Sequence, residues 1–190
     1  MKRLIASLLL LISSSSPAPA QVSGKATYYA GVFSLASPSG ATDAMCLENP
    51  AGVVVRLLQI YVSGLGAGAA TIDVALVKRA SLNSGGTSTT VTPAIGDAGA
   101  AAQAALRSWT VNPAALGTLV GVLRHVRWDI TTTGSNPDTS GTGVSNFTQF
   151  MAIGFAPTIR AANSAICLNF NTDSTAVTLT SNWTWTESAD

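Results

Sequence analysis

The last long apolar segment of the chain alternates with period two, and this pattern constrains the fold more than any other feature. Its apolar side chains share one face of an extended strand: Val177, Leu179, Trp183 and Trp185. Threonines and Asn182 occupy the other face, so the segment predicts a strand with one buried face. We expect both tryptophans to face the core. The alternative is that this terminal strand presents them to a neighbouring subunit.

Seven further runs rich in Val, Ile, Leu, Thr and aromatic residues also indicate strands, because Gly, Pro, Ser and Asn clusters separate them. The full set is Ala26 to Leu35, Val53 to Ser63, Ala70 to Arg79, Arg107 to Val111, Leu119 to Ile130, Phe147 to Phe155, Ser164 to Asn171 and Ala176 to Glu187. About eight strands at this spacing predict an all-β fold, an antiparallel β-sandwich of jelly-roll type.

Two stretches between these runs have a different character. An alanine-rich run after the potential N-cap residue Asp97 predicts a short helix or helical turn near 97–106. The stretch Thr131 to Ser145 is the longest polar connection, and it predicts an exposed loop.

Residues 1–20 have the parts of a secretory signal peptide: a basic start, the apolar run Leu4 to Ile12, and small residues ending at Ala20. The run is far shorter than the ~20 residues of a membrane-spanning helix. We therefore expect cleavage after Ala20 and a secreted or periplasmic protein without a membrane span. The remaining residues, 21–190, suit a single domain.

Few residues of the chain are charged, 10% against 47% hydrophobic. Removal of Lys2 and Arg3 with the signal peptide leaves 8 basic and 9 acidic residues, a net charge of −1. Because these charges are scattered, nothing indicates a nucleic acid or an anionic membrane surface as a partner. The apolar composition instead favours surface buried between subunits, and it predicts a homo-oligomer.

Cys46 and Cys167 are the only cysteines. Export removes the reducing environment, which favours a disulfide over two buried thiols. The closed loop of about 120 residues would stabilise the fold by roughly 4 to 5 kcal/mol on the chain-entropy model. Two cysteines and the single histidine, His125, do not have the spacing of a tetrahedral zinc site, so we expect no metal.

The segment Gly64 to Ala69 matches the glycine pattern of a dinucleotide-binding turn. Such a turn requires a helix after it, with an acidic residue about 20 positions further on. Here Ile72, Val74 and Leu76 continue with the period of a strand, and the acidic residue is missing. The glycines therefore predict a connection between two strands, with these three side chains on the core face and no cofactor.

A charged cluster occurs on one predicted strand, where alternation puts His125, Arg127 and Asp129 on the same side. His125 and Asp129 are about 13 Å apart along a strand, too far for a direct hydrogen bond. A solvated outer face or a polar subunit interface is therefore favoured over general-base catalysis. No nucleophile motif or carboxylate pair stands out, and we assign no catalytic residue.

Three stretches together resemble a group of small jelly-roll proteins of tailed phages and prophages: "TIDVALVKRASLNSGGTSTTVTPAIGD" (71–97), "NPAALGTLVGVLR" (112–124) and "WTWTE" (183–187). Members of that group are regarded as virion structural or surface components. The resemblance implies a subunit-contacting role without a catalytic centre, so it transfers no site residues. The signal peptide and the cysteines depart from the pattern, and a host-encoded, exported relative would account for both.

Three functions follow, in order of preference. The first is a non-catalytic structural or surface assembly protein, contacting copies of itself or other structural proteins, and located in the virion if it is phage-encoded. The second is an exported module that binds surface glycans or another cell-surface partner, and the third is a hydrolase. The residues proposed for an interface or binding surface are His125, Arg127, Asp129, Trp183 and Trp185.

Overall fold

Two antiparallel sheets are built from the strands of this chain in a computed structural model. The structure describes residues 26–36, 40–66, 70–97, 101–130, 144–149, 156–171 and 177–188, so the proposed signal peptide lies outside the described residues. The strands are β1 (Ala26–Ala36), β2 (Thr42–Asn49), β3 (Val54–Gly66), β4 (Ala70–Arg79), β5 (Thr87–Val91), β6 (Ala94–Ile95), β7 (Ala105–Val111), β8 (Leu119–Ile130), β9 (Val144–Gln149), β10 (Thr158–Ile159), β11 (Ser164–Phe170) and β12 (Val177–Ser188).

The first sheet has the order β10-β3-β12-β1-β6, and β9 also pairs with β3. The last strand of the sequence, β12, therefore lies inside the sheet, between β3 and β1. The second sheet has the order β5-β7-β2-β11-β4-β8, with β8 at one end. Together the two sheets form a β-sandwich, which confirms the predicted all-β class.

The main core lies between the sheets and contains the largest fully buried side chains of the described chain. They are Met45, Leu47, Leu57, Ile60, Leu76, Leu106, Phe170, Trp183 and Trp185. Val74 and Leu76 of β4 belong to this core, as their alternation predicts. Ile72 lies two positions earlier on the same strand, where side chains are outside the described part of the structure.

A second, smaller core lies on the other face of the second sheet. Its members are Cys46, Ala75, Val77, Trp109, Ala165 and Cys167, with Leu82 packed against them. The segments 80–86 and 112–118 lie over this face and hydrogen-bond to each other, for example from the Ala80 N–H to the Thr118 carbonyl at 2.8 Å. The strands β2 and β11 are consequently buried along their whole lengths.

The strand predictions succeed for most of the long strands and fail for β2 and for three short strands. The bounds predicted for β4 and β8 match the structure, and six further predicted runs overlap strands. β2 was not predicted, because Asp43, Glu48 and Asn49 interrupt any apolar alternation, and all three are buried. The short strands β5, β6 and β10 also lack a clear periodic pattern in the sequence.

The helix predicted near 97–106 is wrong for the residues that the structure describes there. Residues 101–104 are not helical, and β7 begins at Ala105. The Glu187 carboxylate accepts the backbone N–H groups of Gln103 at 2.8 Å and Ala104 at 3.0 Å. These hydrogen bonds pair the backbone N–H groups without a helix. The alanine-rich run alone is too short to form a stable helix. Residues 98–100 lie outside the described residues.

Strands extend into both the glycine segment and the polar loop, which were predicted to be connections. Gly64 and Gly66 belong to β3, where they pair with Leu179 and Val177 of β12, so they are strand residues. Residues 67–69 lie outside the described part of the chain, and a strand, β4, follows them. Of the polar loop, 131–143 is also outside, while Val144 and Ser145 begin β9.

Candidate functional site

Exposed apolar side chains are concentrated at the start of β8 and in the segment that leads into it. The exposed fraction reaches 60% at Val120, and the group consists of Leu116, Leu119, Val120, Val122 and Leu123, which we call the apolar edge. These five are among eight large apolar residues exposed in the described structure. Exposed apolar residues clustered in this way are typical of interaction surfaces, whereas isolated ones are not.

The position of β8 in its sheet explains this exposure. Among the described residues, β8 pairs with β4 on one side and has no strand on the other. The pairing shifts twice, so that Val120 and Leu123 are extra residues relative to β4. Such bulges bend a strand and leave the extra residue without a partner in the neighbouring strand. An end strand that is long and apolar also presents unpaired backbone groups, which makes it a site for pairing with another chain.

A buried ion pair lies beneath the segments that cover the second sheet. Asp43 is fully buried and accepts two hydrogen bonds from Arg79, both at 2.8 Å. It also accepts the Asn83 amide at 2.9 Å and the Asn169 amide at 2.7 Å. These donors come from two distant parts of the chain, and they compensate the carboxylate for its lost hydration.

The same network holds the segment that leads into the apolar edge. Arg79 donates to the Gly117 carbonyl at 3.0 Å, and the Gly117 N–H donates to the Asn83 side-chain oxygen at 2.7 Å. A Cβ at Gly117 would overlap the Ser81 carbonyl oxygen, so only glycine fits this close approach. The buried Asp43–Arg79 pair and Asn83 therefore fix the backbone at Gly117, which lies within the apolar edge.

A disulfide joins Cys46 of β2 to Cys167 of β11, which confirms the predicted pairing. The two residues are direct partners in the sheet register, with Cα atoms 4.0 Å apart. Asp43 lies beside them, with its Oδ2 3.9 Å from the Cys46 sulfur. This contact is not a hydrogen bond, because a disulfide sulfur carries no proton. In the disulfide form, the sulfurs also lack the thiolate that a metal site here would require.

The charged part of β8 follows the apolar edge. Arg124, His125 and Arg127 are exposed, and the register places His125, Arg127 and Asp129 opposite alternate residues of β4. Arg127 pairs with Asp73 of β4, with Nε 2.9 Å from Oδ1, a partner that sequence reasoning missed. The side chain of Asp129 lies outside the described part of the structure.

The Asp73–Arg127 pair affects the titration of the carboxyl. The hydrogen bond from Arg127 lowers the pKa of Asp73, and the charge of Arg127 adds to this effect. Partial burial opposes the shift, and the nearby His125 makes a smaller lowering contribution. Asp73 is therefore an anion at neutral pH that offsets part of the positive charge on β8.

Trp183 and Trp185 are fully buried, and this placement corrects the interface role considered for them. The Trp183 indole N–H donates to the Ser181 hydroxyl at 2.7 Å, and that of Trp185 donates to Glu187 at 2.9 Å. Trp185 also stacks on Tyr28, with ring centroids 5.7 Å apart. Although β12 is near the end of the sequence, it lies between β3 and β1, so its tryptophans are not accessible to a partner.

A small open pocket of about 230 Å³ lies beside the second core. Its lining includes Glu48, Arg107, Ser88 and Trp109. Arg107 donates to Glu48 at 3.0 Å and to the Ser88 hydroxyl at 3.1 Å. Burial raises the pKa of Glu48, while the hydrogen bond and the charge of Arg107 partly oppose the shift. Trp109 is only 6% exposed, so it offers little ring surface to a ligand.

Comparisons with protein-family models, with curated proteins and with solved structures give no match to this chain. The described residues contain no helix that is long and apolar enough to span a membrane. Function is consequently inferred from the geometry of the chain itself.

Proposed function

We propose that this protein is a non-catalytic structural or surface assembly protein that contacts other subunits through the apolar edge. The observation that carries the proposal is the exposure of Leu116, Leu119, Val120, Val122 and Leu123 on a strand that ends its sheet. Exposing these side chains to water is unfavourable by roughly 25 cal/mol per Å², which association would recover. The preferred partner is another copy of the same chain.

A jelly-roll topology is part of this proposal, and the order of strand pairing supports it. The principal strands pair in a nested way: β1 with β12, β2 with β11, β3 with β9, and β4 with β8. A single antiparallel ribbon rolled into two sheets has this pattern of pairs, with its members alternating between the sheets. The strands β5, β6 and β7 are then an insertion between β4 and β8.

The described carboxylates support a role without catalysis, because each of them already has a structural partner. Asp43, Glu48 and Asp73 form ion pairs, Asp97 accepts the Thr27 N–H, and Glu187 accepts backbone and indole N–H groups. A general acid or base needs a proton-transfer partner in a substrate rather than saturation by its own chain. The arrangement fits a chain whose polar groups hold its fold together.

Export of the protein from the cytoplasm is also part of the proposed function. The buried disulfide supports an oxidising compartment, in accord with a signal peptide that ends at Ala20. The protein is then secreted or periplasmic, or part of a virion if it is phage-encoded. The resemblance to jelly-roll components of tailed phages agrees with assembly as the function.

Light scattering coupled to size-exclusion chromatography tests the proposal on the mature protein. We expect a mass above that of the monomer at tens of micromolar. Val122→Lys should return the mass to that of the monomer, because it places a charge within the apolar edge. Ile95→Lys is the matched control, since Ile95 is exposed to a similar degree on the other sheet. A wild-type protein that stays monomeric throughout contradicts the proposal.

The pocket at Arg107 favours a surface-glycan partner as a second candidate, because it combines a carboxylate, a guanidinium and a hydroxyl. Such groups can bind sugar hydroxyls. We expect a glycan array to show a signal that Arg107→Ala abolishes while Arg127→Ala, on the far edge of the sheet, leaves it intact. An array without signal, or a signal insensitive to Arg107→Ala, removes this candidate.

A further inference from the structure

The centre of the apolar edge has the same sequence in both directions. It is Leu119-Val120-Gly121-Val122-Leu123, at the start of the end strand β8. If two antiparallel copies of β8 meet around Gly121, Leu119 lies opposite Leu123 and Val120 lies opposite Val122. Each apolar residue then has an apolar partner. An interface with two-fold symmetry requires such a self-complementary patch, because both subunits contribute the same residues.

Gly121 is not explained by packing inside its own subunit. A Cβ added there meets no atom within 4 Å, and the residue is not in the left-handed region that favours glycine. Glycine in a strand lowers its stability, and it often marks a place where another backbone approaches closely. A second copy of β8 at a two-fold axis would supply that close approach.

The charges on β8 favour the same register. With the axis at Gly121, Arg124 lies opposite the uncharged Thr118 of the second copy, and His125 and Arg127 lie farther out, opposite 115–117. With the axis at Arg124, by contrast, the two Arg124 guanidinium groups of the dimer would face each other. Like charges directly opposite are unfavourable across strands. The uncharged half of β8 is therefore the part that can pair with itself.

We propose that two copies of this protein associate through antiparallel β8 strands, with the two-fold axis at Gly121. The inference rests on the proposed assembly function and specifies its partner and register. The dimer buries the apolar edge of both subunits and leaves Arg124, His125 and Arg127 at its rim. A charged rim around an apolar centre is the usual organisation of a protein interface.

Cysteine cross-linking tests the register with two variants of the full protein, Leu119→Cys and Leu123→Cys. Both side chains are exposed, so the fold should tolerate the changes. In the proposed dimer, position 119 of one copy is next to position 123 of the other. Two copies of position 119 are about 13 Å apart, too far for a disulfide. A mixture of the variants should therefore cross-link on mild oxidation, while each variant alone should not.

A second variant, Gly121→Val, tests the close approach at the axis. The space inside the subunit is open and valine favours a strand more than glycine does, so we expect the unfolding midpoint of the monomer to be unchanged or higher and the dimer dissociation constant to increase by about tenfold or more. Cross-linking of either cysteine variant alone, or none in the mixture, overturns the register. If Val122→Lys still abolishes self-association in that case, the assembly function survives. A monomeric wild-type protein overturns both.

Discussion

Asp43 shows how a single buried polar residue can join distant segments of the second sheet. Its partners are separated from it by 36 residues at Arg79 and by 126 at Asn169. No local pattern in the sequence connects residues so far apart, which is why Asp43 was not predicted to matter. The network also reaches Gly117, so the conformation of the segment before the apolar edge depends on a charge buried behind it.

Asp43→Ala should lower the free energy of unfolding by about 3 to 5 kcal/mol, because it leaves the buried Arg79 guanidinium without a counter-ion. Urea unfolding of the full protein measures the change. Asp73→Ala is the control, since its partner Arg127 is largely exposed and can be solvated by water. Equal losses in the two variants would show that the Asp43 pair does not hold the sheet as described.

Glu48 predicts a dependence of stability on pH. Burial raises its pKa, so between the usual pKa of a glutamate and this raised value the folded state binds the proton more strongly than the unfolded state. The Glu48 contribution to stability is therefore greatest at pH values below this window and declines as the pH rises through it.

Glu48→Gln should remove this contribution, and a comparison of denaturant midpoints across the acid range measures the difference between the two proteins. A difference that does not change with pH would contradict the raised pKa. The variant keeps the side-chain volume and retains an oxygen that can accept the Arg107 hydrogen bond.

At the level of strands, predictability depends on the composition and the period of the run. The bounds of β4 and β8 follow from their composition and period, and β12 follows from its alternation. β2 is buried on both faces, as β11 is, but it includes the polar residues Asp43, Glu48 and Asn49, and its sequence does not alternate. The side chains of β8 are exposed because β8 lies at the end of its sheet. The sequence of β8 alone does not indicate that position.

The disulfide joins β2 and β11 across a sequence separation of 121 residues. The double variant Cys46→Ala/Cys167→Ala should lose about 4 to 5 kcal/mol of unfolding free energy on the chain-entropy model. Thermal and urea unfolding of the oxidised wild type and of the double variant give the value. A loss below about 1 kcal/mol would indicate that the unfolded chain is already restricted without the bond.

Taken as a whole molecule, the chain combines a buried polar framework with an exposed apolar strand. Its class and its disulfide are predictable from local pattern and cysteine count, whereas the strand order is not, because pairing over long separations depends on the tertiary fold. The charged cluster on β8 is predicted to lie on a solvated outer face or in a polar subunit interface, and the side chains of His125 and Arg127 are exposed in the subunit. The adjoining apolar residues were recognised only as a strand.

Hydrogen–deuterium exchange at low and high protein concentration distinguishes a contact through β8 from any other mode of association. We expect the backbone amides of 116–124 to exchange more slowly at high concentration, because pairing with a second copy removes them from water. Amides around Ile95, on the other sheet, should exchange at the same rate under both conditions. Protection that does not change with concentration at 116–124, or that appears around Ile95 instead, would contradict assembly through the apolar edge.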